Sequence, residues 1–497
     1  VDAFAFALQD MGVSKGDRVA LYLPNLPQFV IAYYGALKAG AVVTCCSPLY
    51  AERELEYQLS DSGAETLIAL DMFYDKVQAI RDEVKLENVI TTSIPDFLPG
   101  IKRLLAPLKG IKKHPCPGSE DMMEVLKNYE GSVPKKVEVS YDELALLQYT
   151  GGTTGVPKGA MLTHYNLLVN AIQAAHWLFT AETDKERFLT VLPLFHIYGM
   201  TTSMNAPIYL ASTMVLLPRF DVEEVMKTIE KYRVTVFCGV PTMYIGVINH
   251  PRVTKFNLRS IKACISGAAP LPMAVIKRFH ELTGGVLVEG YGLTEASPVT
   301  HYNPLELDKV REGSIGIPVS DTEAFIVDLE TGEKSLPPGE VGELAIRGPQ
   351  VMKGYWNRPN ETAKTLKGGL LLTGDIAYMD EDGYFYVVDR KKDMINVSGF
   401  KVWPREVEEV LYEHPAVKEV AVIGVPDPRS GEAVKAYVAL KEEYEGKVTA
   451  EELIEFCRER LAKYKIPKQI EFRLELPKTA AGKILRRAIR EEELGKA

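Results

Sequence analysis

The sequence predicts an α/β protein: a large N-terminal domain with doubly wound sheets and a small β subdomain, followed by a small mobile C-terminal α+β domain. Three observations lead there. From Arg18 to about Pro241, short apolar runs alternate with amphipathic helical stretches; after Gly290 the texture turns to paired β runs; and a charged break, Asp389-Arg390-Lys391-Lys392-Asp393, precedes a last mixed segment. At 497 residues the chain also exceeds what one hydrophobic core supports. The predicted boundaries are 1–388 for the large domain, 389–393 for a hinge linker and 394–497 for the mobile domain.

The chain opens inside an amphipathic helix, with Ala3, Ala7, Leu8 and Met11 on one face and Gly12 closing it, which leaves room for a preceding segment. Strand-like runs at 19–23, 41–45, 66–70, 213–217 and 234–238 are then followed or separated by helical patterns, among them 27–38, 52–59, 222–232 and 243–248. Such alternation gives parallel strands covered by helices, with ligands gathering beyond the strands' carboxyl ends. Residues 92–115 interrupt it: Phe97, Leu105 and Leu108 are interleaved with Lys102, Arg103, Lys109, Lys112 and Lys113, and Asp96 is the one acid. A solvated insertion, favoured by the prolines and glycines, and a peripheral contact with an anionic membrane both stay open. Beyond Gly290, runs at 324–327, 342–347, 375–379 and 384–388 predict hairpins, the last pair around Asp382-Gly383. Past the charged break, helical patterns at 406–412 and 450–461 and strands at 420–425 and 434–440 predict the small α+β domain.

Composition narrows the classes. A formal charge of −9 argues against a general nucleic-acid binder. Six cysteines without C-x-x-C spacing read as reduced thiols, and eight histidines include no H-E-x-x-H pair. With no apolar run of membrane-spanning length and no signal-peptide pattern, a cytoplasmic protein is expected. Oligomeric state stays open, a homodimer included.

The most informative stretch is 149–159, Tyr-Thr-Gly-Gly-Thr-Thr-Gly-Val-Pro-Lys-Gly. Gly151, Gly152 and Gly155 remove side-chain bulk, so backbone N–H groups can close on an anion, while Thr150, Thr153 and Thr154 add hydroxyls and Lys158 a charge. Pro157 precludes the P-loop pattern G-x-x-x-x-G-K-[ST], so the lysine does not open a helix. An ordinary turn is the plainer alternative. A second stretch, Glu289-Gly290-Tyr291-Gly292-Leu293-Thr294-Glu295, lacks the third glycine of a dinucleotide fingerprint. It offers a ring to stack on a base, a hydroxyl for phosphate and a carboxylate for Mg²⁺.

In their order along the chain these stretches resemble the acyl-adenylate-forming (AMP-binding) enzymes: acyl-CoA synthetases, luciferases and peptide-synthetase adenylation domains. The resemblance implies that 150–155 and Lys158 bind the phosphates of ATP. It assigns Tyr291, Gly267, Ala268, Ala269, Glu289, Gly290 and Gly292 to the nucleotide, Thr294 to the α-phosphate and Glu295 to Mg²⁺. Leu372-Thr373-Gly374-Asp375 and Asp389-Arg390 match ribose-binding motifs through Asp375 and Arg390. Pro477 to Arg487 matches the motif whose catalytic lysine falls on Lys483; Gly399, Phe400 and Lys401 match the loop that meets CoA; Lys392 matches the hinge.

Pro193-Leu194-Phe195-His196 resembles the segment beside the acyl pocket, with His196 near the substrate carboxylate; a structural histidine is the alternative. An aspartate would stand there in an amino-acid-activating relative. Tyr198, Phe237, Val240, Met243 and Tyr244 supply apolar pocket walls, or core. The spelling is nearest to bacterial-type long-chain fatty acyl-CoA synthetases, which implies fatty acid, ATP and CoA as substrates, with an acyl-AMP intermediate. Aryl-CoA or medium-chain ligases, a luciferase-like oxygenase and a nucleotide-binding module are the other readings.

Overall fold

The structure is a computed structural model and describes residues 1–98, 100–150, 156–178, 181–398, 400–478 and 484–495. The chain divides into two compact units, one of residues 1–312, 316–323 and 347–371, the other of 313–315, 324–346 and 372–497.

The first unit holds two seven-stranded sheets. One contains β1 (Arg18–Tyr22), β2 (Val42–Cys45), β3 (Ala64–Leu70), β4 (Asn88–Thr92), β5 (Glu120–Asp121), β6 (Leu144–Thr150) and β7 (Lys158–Thr163), in the order β5-β4-β3-β1-β2-β6-β7. The other contains β8 (Arg187–Thr190), β9 (Thr213–Leu216), β10 (Val236–Gly239), β11 (Ala263–Ser266), β12 (Val286–Gly292), β13 (Val299–Tyr302) and β14 (Ile317–Pro318), in the order β14-β13-β12-β11-β10-β8-β9. Their interiors are parallel, as the alternation predicts.

Each sheet turns antiparallel at one end, which the alternation alone does not announce. β6 runs against β7 with Thr150 opposite Lys158, and β12 runs against β13. The cause is connection length. A parallel crossover needs a dozen or more residues, and neither 151–157 nor 293–298 provides them.

Local chemistry sets the helices. In Val222–Tyr232 the Asp221 side chain accepts from Glu224 N, and Val225, Met226 and Ile229 turn one face into the core. Arg233 ends it in the left-handed region at φ 52°. Full burial of such aliphatic side chains is worth about 1.5–3 kcal/mol each.

In the second unit, Leu370–Met379 and Phe385–Arg390 form the expected hairpin, with Gly383 at φ 83° in its turn. A further sheet orders Phe400–Val402, Ile395–Val397, Gly431–Leu440 and Val417–Asp427, and Gln469–Phe472 adds parallel to Gly431–Leu440. The helices Pro404–Tyr412 and Ala450–Arg458 contribute Val407, Leu411, Leu453 and Cys457 to its core beside Val420, Val422 and Val434.

Candidate active site

Gly151, Gly152, Thr153, Thr154 and Gly155 lie outside the described residues, but both ends of their loop are defined. Thr150 closes β6 and Lys158 opens β7. The base of the loop is held by side chains that the sequence reading did not single out. Tyr57 Oη donates to Pro157 O at 2.9 Å, and Tyr149 Oη donates to Asp61 Oδ2 at 2.7 Å. Arg358 donates to the other oxygen of Asp61 at 2.7 Å, and Trp356 Nε1 donates to its carbonyl at 3.1 Å. A Cβ at Gly159 would sit 3.1 Å from the Tyr149 ring, so glycine keeps that ring seated.

Residues 353–356 run along β7. Met161 N donates to Gly354 O at 2.9 Å, Lys353 N to Met161 O at 3.0 Å, and Trp356 N to Gly159 O at 2.8 Å. Tyr355 is thereby fixed in place with 7% exposure. The Lys158 ammonium stands 5.1 Å from its ring centroid, and its hydroxyl donates to Glu295 Oε1 at 2.6 Å. Only a Gly-Tyr pair ahead of a helix opening at Pro359 marks this residue in the sequence.

The second sheet presents the nucleotide candidates at the ends of β11 and β12. Glu289 is buried and accepts from Leu271 N at 2.8 Å, so this carboxylate braces the segment containing Gly267, Ala268 and Ala269. Ala268 takes φ 69°, a strained conformation for a residue with a Cβ. At Gly290 a Cβ would lie 2.3 Å from the Tyr302 ring, which explains glycine there. Tyr291 meets His301 edge to face at 5.9 Å, just past Gly290 and before Gly292 at the end of β12. Thr294 and Glu295 follow in the turn Thr294–Ala296.

The Glu295 carboxylate is partly exposed and offers hard oxygen. Among the described residues no group of three or more His, Cys, Asp or Glu side chains could cage a metal. One carboxylate beside a threonine hydroxyl fits Mg²⁺, which is commonly bound by one or two carboxylates and substrate phosphates.

His196 caps the helix Ile197–Met200. Its Nδ1 accepts from Tyr198 N at 3.2 Å, which puts the proton of the neutral ring on Nε2. Burial holds its pKa down to about 4. Tyr198, Phe237, Val240, Met243 and Tyr244 join one apolar cluster. The tyrosines tie strand ends together: Tyr198 Oη donates to Ile265 O at 2.9 Å, and Tyr244 Oη bonds Phe237 O at 2.8 Å and Ile265 O at 2.9 Å. Beyond Met200 the helix widens to a π turn over Thr201–Asn205, entirely buried, with Thr201 Oγ1 donating to Ser297 O at 2.6 Å.

In the second unit Asp375 and Arg390 are cross-strand partners whose charges meet at 3.1 Å. Lys391 pairs with Glu343 at 2.8 Å. Lys392 lies exposed in the turn Lys391–Asp393. Flanking that turn is a charge cluster: Arg486 contacts Asp389 at 3.0 Å and Asp393 at 3.5 Å, and its Nε bonds Glu408 Oε1 at 2.9 Å. Phe400 stacks on Tyr464 at 4.7 Å, and exposed Lys401 stands opposite Asn396. Gly399 and Lys483 lie outside the described residues.

Comparison with known proteins gives a family for both parts of the chain. The AMP-binding enzyme family matches residues 1–356, and the AMP-binding enzyme C-terminal domain matches 406–483. A long-chain-fatty-acid–CoA ligase of Bacillus subtilis is 49% identical over 98% of this chain and 87% of its own length. Its namesake in Escherichia coli O6:H1 is 44% identical over 99% of this chain and 88% of its own. Among solved structures, ATP-bound MatB from Rhodopseudomonas palustris superposes with a TM-score of 0.84 at 29% identity, covering 99% of this chain and 92% of that one.

Proposed function

The chain belongs to the AMP-binding enzyme family, and from that membership we infer that it is a long-chain fatty acid–CoA ligase of the AMP-forming, acid–thiol class. The observation that carries the reading is the 49% identity to such a ligase across 98% of the chain. A fatty carboxylate is a poor acyl donor. Attack of its oxygen on the α-phosphorus of ATP expels pyrophosphate and forms an acyl-AMP anhydride; the CoA thiol then takes the acyl group, releasing AMP and a proton.

The roles proposed for this chain's residues follow from their chemistry. Lys158 and the 150–155 loop neutralise phosphate oxygens, and Thr294 donates to the α-phosphate. Tyr291 and Gly267 to Ala269 receive adenine, while Asp375 and Arg390 serve the ribose. His196, neutral with its proton on Nε2, can donate to the fatty carboxylate. Mg²⁺ held by Glu295 would supply charge neutralisation at the phosphates. Lys483 is proposed for adenylation, the 399–401 loop for CoA, and Lys392 as the hinge on which 394–497 turn between the two steps.

Contact with an anionic membrane surface through 92–115 is also proposed. Exposed Phe97, Leu105 and Leu108 stand among exposed Lys102, Arg103 and Lys112, while Asp96, the segment's only acid, is buried and accepts from Ser93 N at 2.7 Å. Among the described residues no helix is long and apolar enough to cross a membrane. Six unpaired cysteines fit a reducing compartment, the cytoplasm in our proposal.

The test is acid-dependent exchange of pyrophosphate into ATP, then CoA-dependent AMP release, over acids of increasing length. Best turnover on long unbranched acids is expected. Best turnover on aromatic acids would replace the reading with an aryl-CoA ligase.

A further inference from the structure

We propose that Tyr355 is a positioning residue that couples the two charged groups of the nucleotide site, its hydroxyl orienting Glu295 toward a divalent cation and its ring holding the Lys158 ammonium ready for phosphate. The inference rests on the ATP-dependent reading above and assigns a role to a residue outside the motifs that led to it.

Tyr355 lies 60 positions after Glu295 in the chain, yet its hydroxyl is 2.6 Å from Glu295 Oε1. A phenolic hydroxyl facing a carboxylate is the donor of the pair. No other side-chain hydrogen bond or ion pair reaches the Glu295 carboxylate among the described residues. With Oε1 engaged, the second oxygen is the one left to meet a cation. Hydrogen-bonded partners of this kind fix the orientation of a ligating carboxylate.

The backbone around Tyr355 is itself over-determined. Tyr355 N donates to Thr362 Oγ1 at 2.9 Å, Met352 N donates to Glu295 O at 2.8 Å, and the neighbouring residues bond β7. One aromatic side chain therefore spans the interval between the first residue of β7 and the turn that carries Glu295. A lysine resting over a ring gives up less freedom when an anion arrives.

The experiment measures Mn²⁺ binding by electron paramagnetic resonance, with saturating α,β-methylene-ATP and no fatty acid or CoA. Tyr355→Phe keeps the ring and removes the hydroxyl. Mn²⁺ affinity should fall roughly tenfold or more, as for other partners of metal ligands, while analogue affinity in EDTA stays at the wild-type value. Adding Tyr355→Phe to Glu295→Gln should cost nothing further. An unchanged Mn²⁺ affinity in Tyr355→Phe, or losses that add independently in the double variant, would overturn the coupling.

Tyr355→Leu removes the ring as well, and metal-free analogue affinity should then drop about two- to fivefold, the scale of a cation–π contact. Equal metal-free affinity in the Phe and Leu variants would overturn the lysine half. If the Leu variant does not fold, Tyr355→Met takes its place: a metal-free affinity below that of Tyr355→Phe supports the contact made by the ring, and an equal one overturns it. A wild-type protein that binds no Mn²⁺–nucleotide would instead defeat the ligase reading itself.

Discussion

The Arg486 guanidinium lies 3.0 Å from the Asp389 carboxylate, joining the strand that ends at Arg390 to the first residue of the helix Arg486–Leu494. The same guanidinium bonds Glu408, whose burial pushes its pKa up, and reaches Asp393. Three carboxylates thus meet at one cation, and Arg490 shares only Asp393, at 3.5 Å. Arg486→Met should cost roughly 3–5 kcal/mol, because removing one partner strands buried charge. Urea denaturation checks this, and an unchanged midpoint would mean that the cluster is not a stabilising element.

The proposed hinge makes a kinetic prediction. Proline at 392 would fix φ near roughly −65° and remove an N–H, so Lys392→Pro should favour one orientation of 394–497. Pyrophosphate exchange and thioester formation from supplied acyl-AMP should then change by different factors. Lys483→Ala should lose roughly 10²- to 10³-fold in acyl-adenylate formation and retain thioester formation. Equal losses in both half-reactions for each correctly folded variant would refute separate roles.

Burial of His301 gives a pH dependence with a definite sign. Its folded pKa is held down to about 3, and that of His196 to about 4, below the ordinary histidine value of about 6.5. Between pH 6.5 and those values the unfolded chain binds protons that the folded chain refuses, so stability falls as pH falls. His301 alone should contribute about 1.4 kcal/mol per pH unit across that window. Urea unfolding from pH 6.5 to 4.5 should accordingly be less steep in pH for His301→Gln. An identical slope would show that His301 is charged in the fold.

The apolar and basic face of 92–115 predicts binding to vesicles. Leu108, 83% exposed, gains nothing from the fold, so Leu108→Glu should leave thermal stability within about 0.5 kcal/mol. It should weaken cosedimentation with phosphatidylglycerol vesicles severalfold, by losing an apolar contact and adding repulsion. Equal cosedimentation of wild type and variant would remove the membrane contact.

Local signals made much of the fold legible. The cap at Asp221 and the apolar spacing of 222–232 fix that helix to the residue, and Asp382-Gly383 marks its hairpin because glycine there takes φ 83°. The antiparallel ends were hidden in short connections, which count residues rather than repeat a pattern. Charged and aromatic pairings were less accessible still. Tyr355 finds Glu295 across 60 positions and Arg486 finds Asp389 across 97, and no local periodicity registers either distance. Motif order pointed to Glu295 and Lys158, whereas the residue joining them belongs to none of the motifs.

The segment 353–356 has a consequence for solubility. β7 ends its sheet, and an uncovered terminal strand offers unpaired N–H and C=O groups to any other extended chain. Gly354, Tyr355 and Trp356 occupy that edge, through hydrogen bonds from Met161 and to Gly159 and an antiparallel bridge between Ala160 and Tyr355. Loosening this cover would expose a β template in the first sheet, so damage at 353–356 should emerge as self-association on storage even where the rest of the chain stays folded.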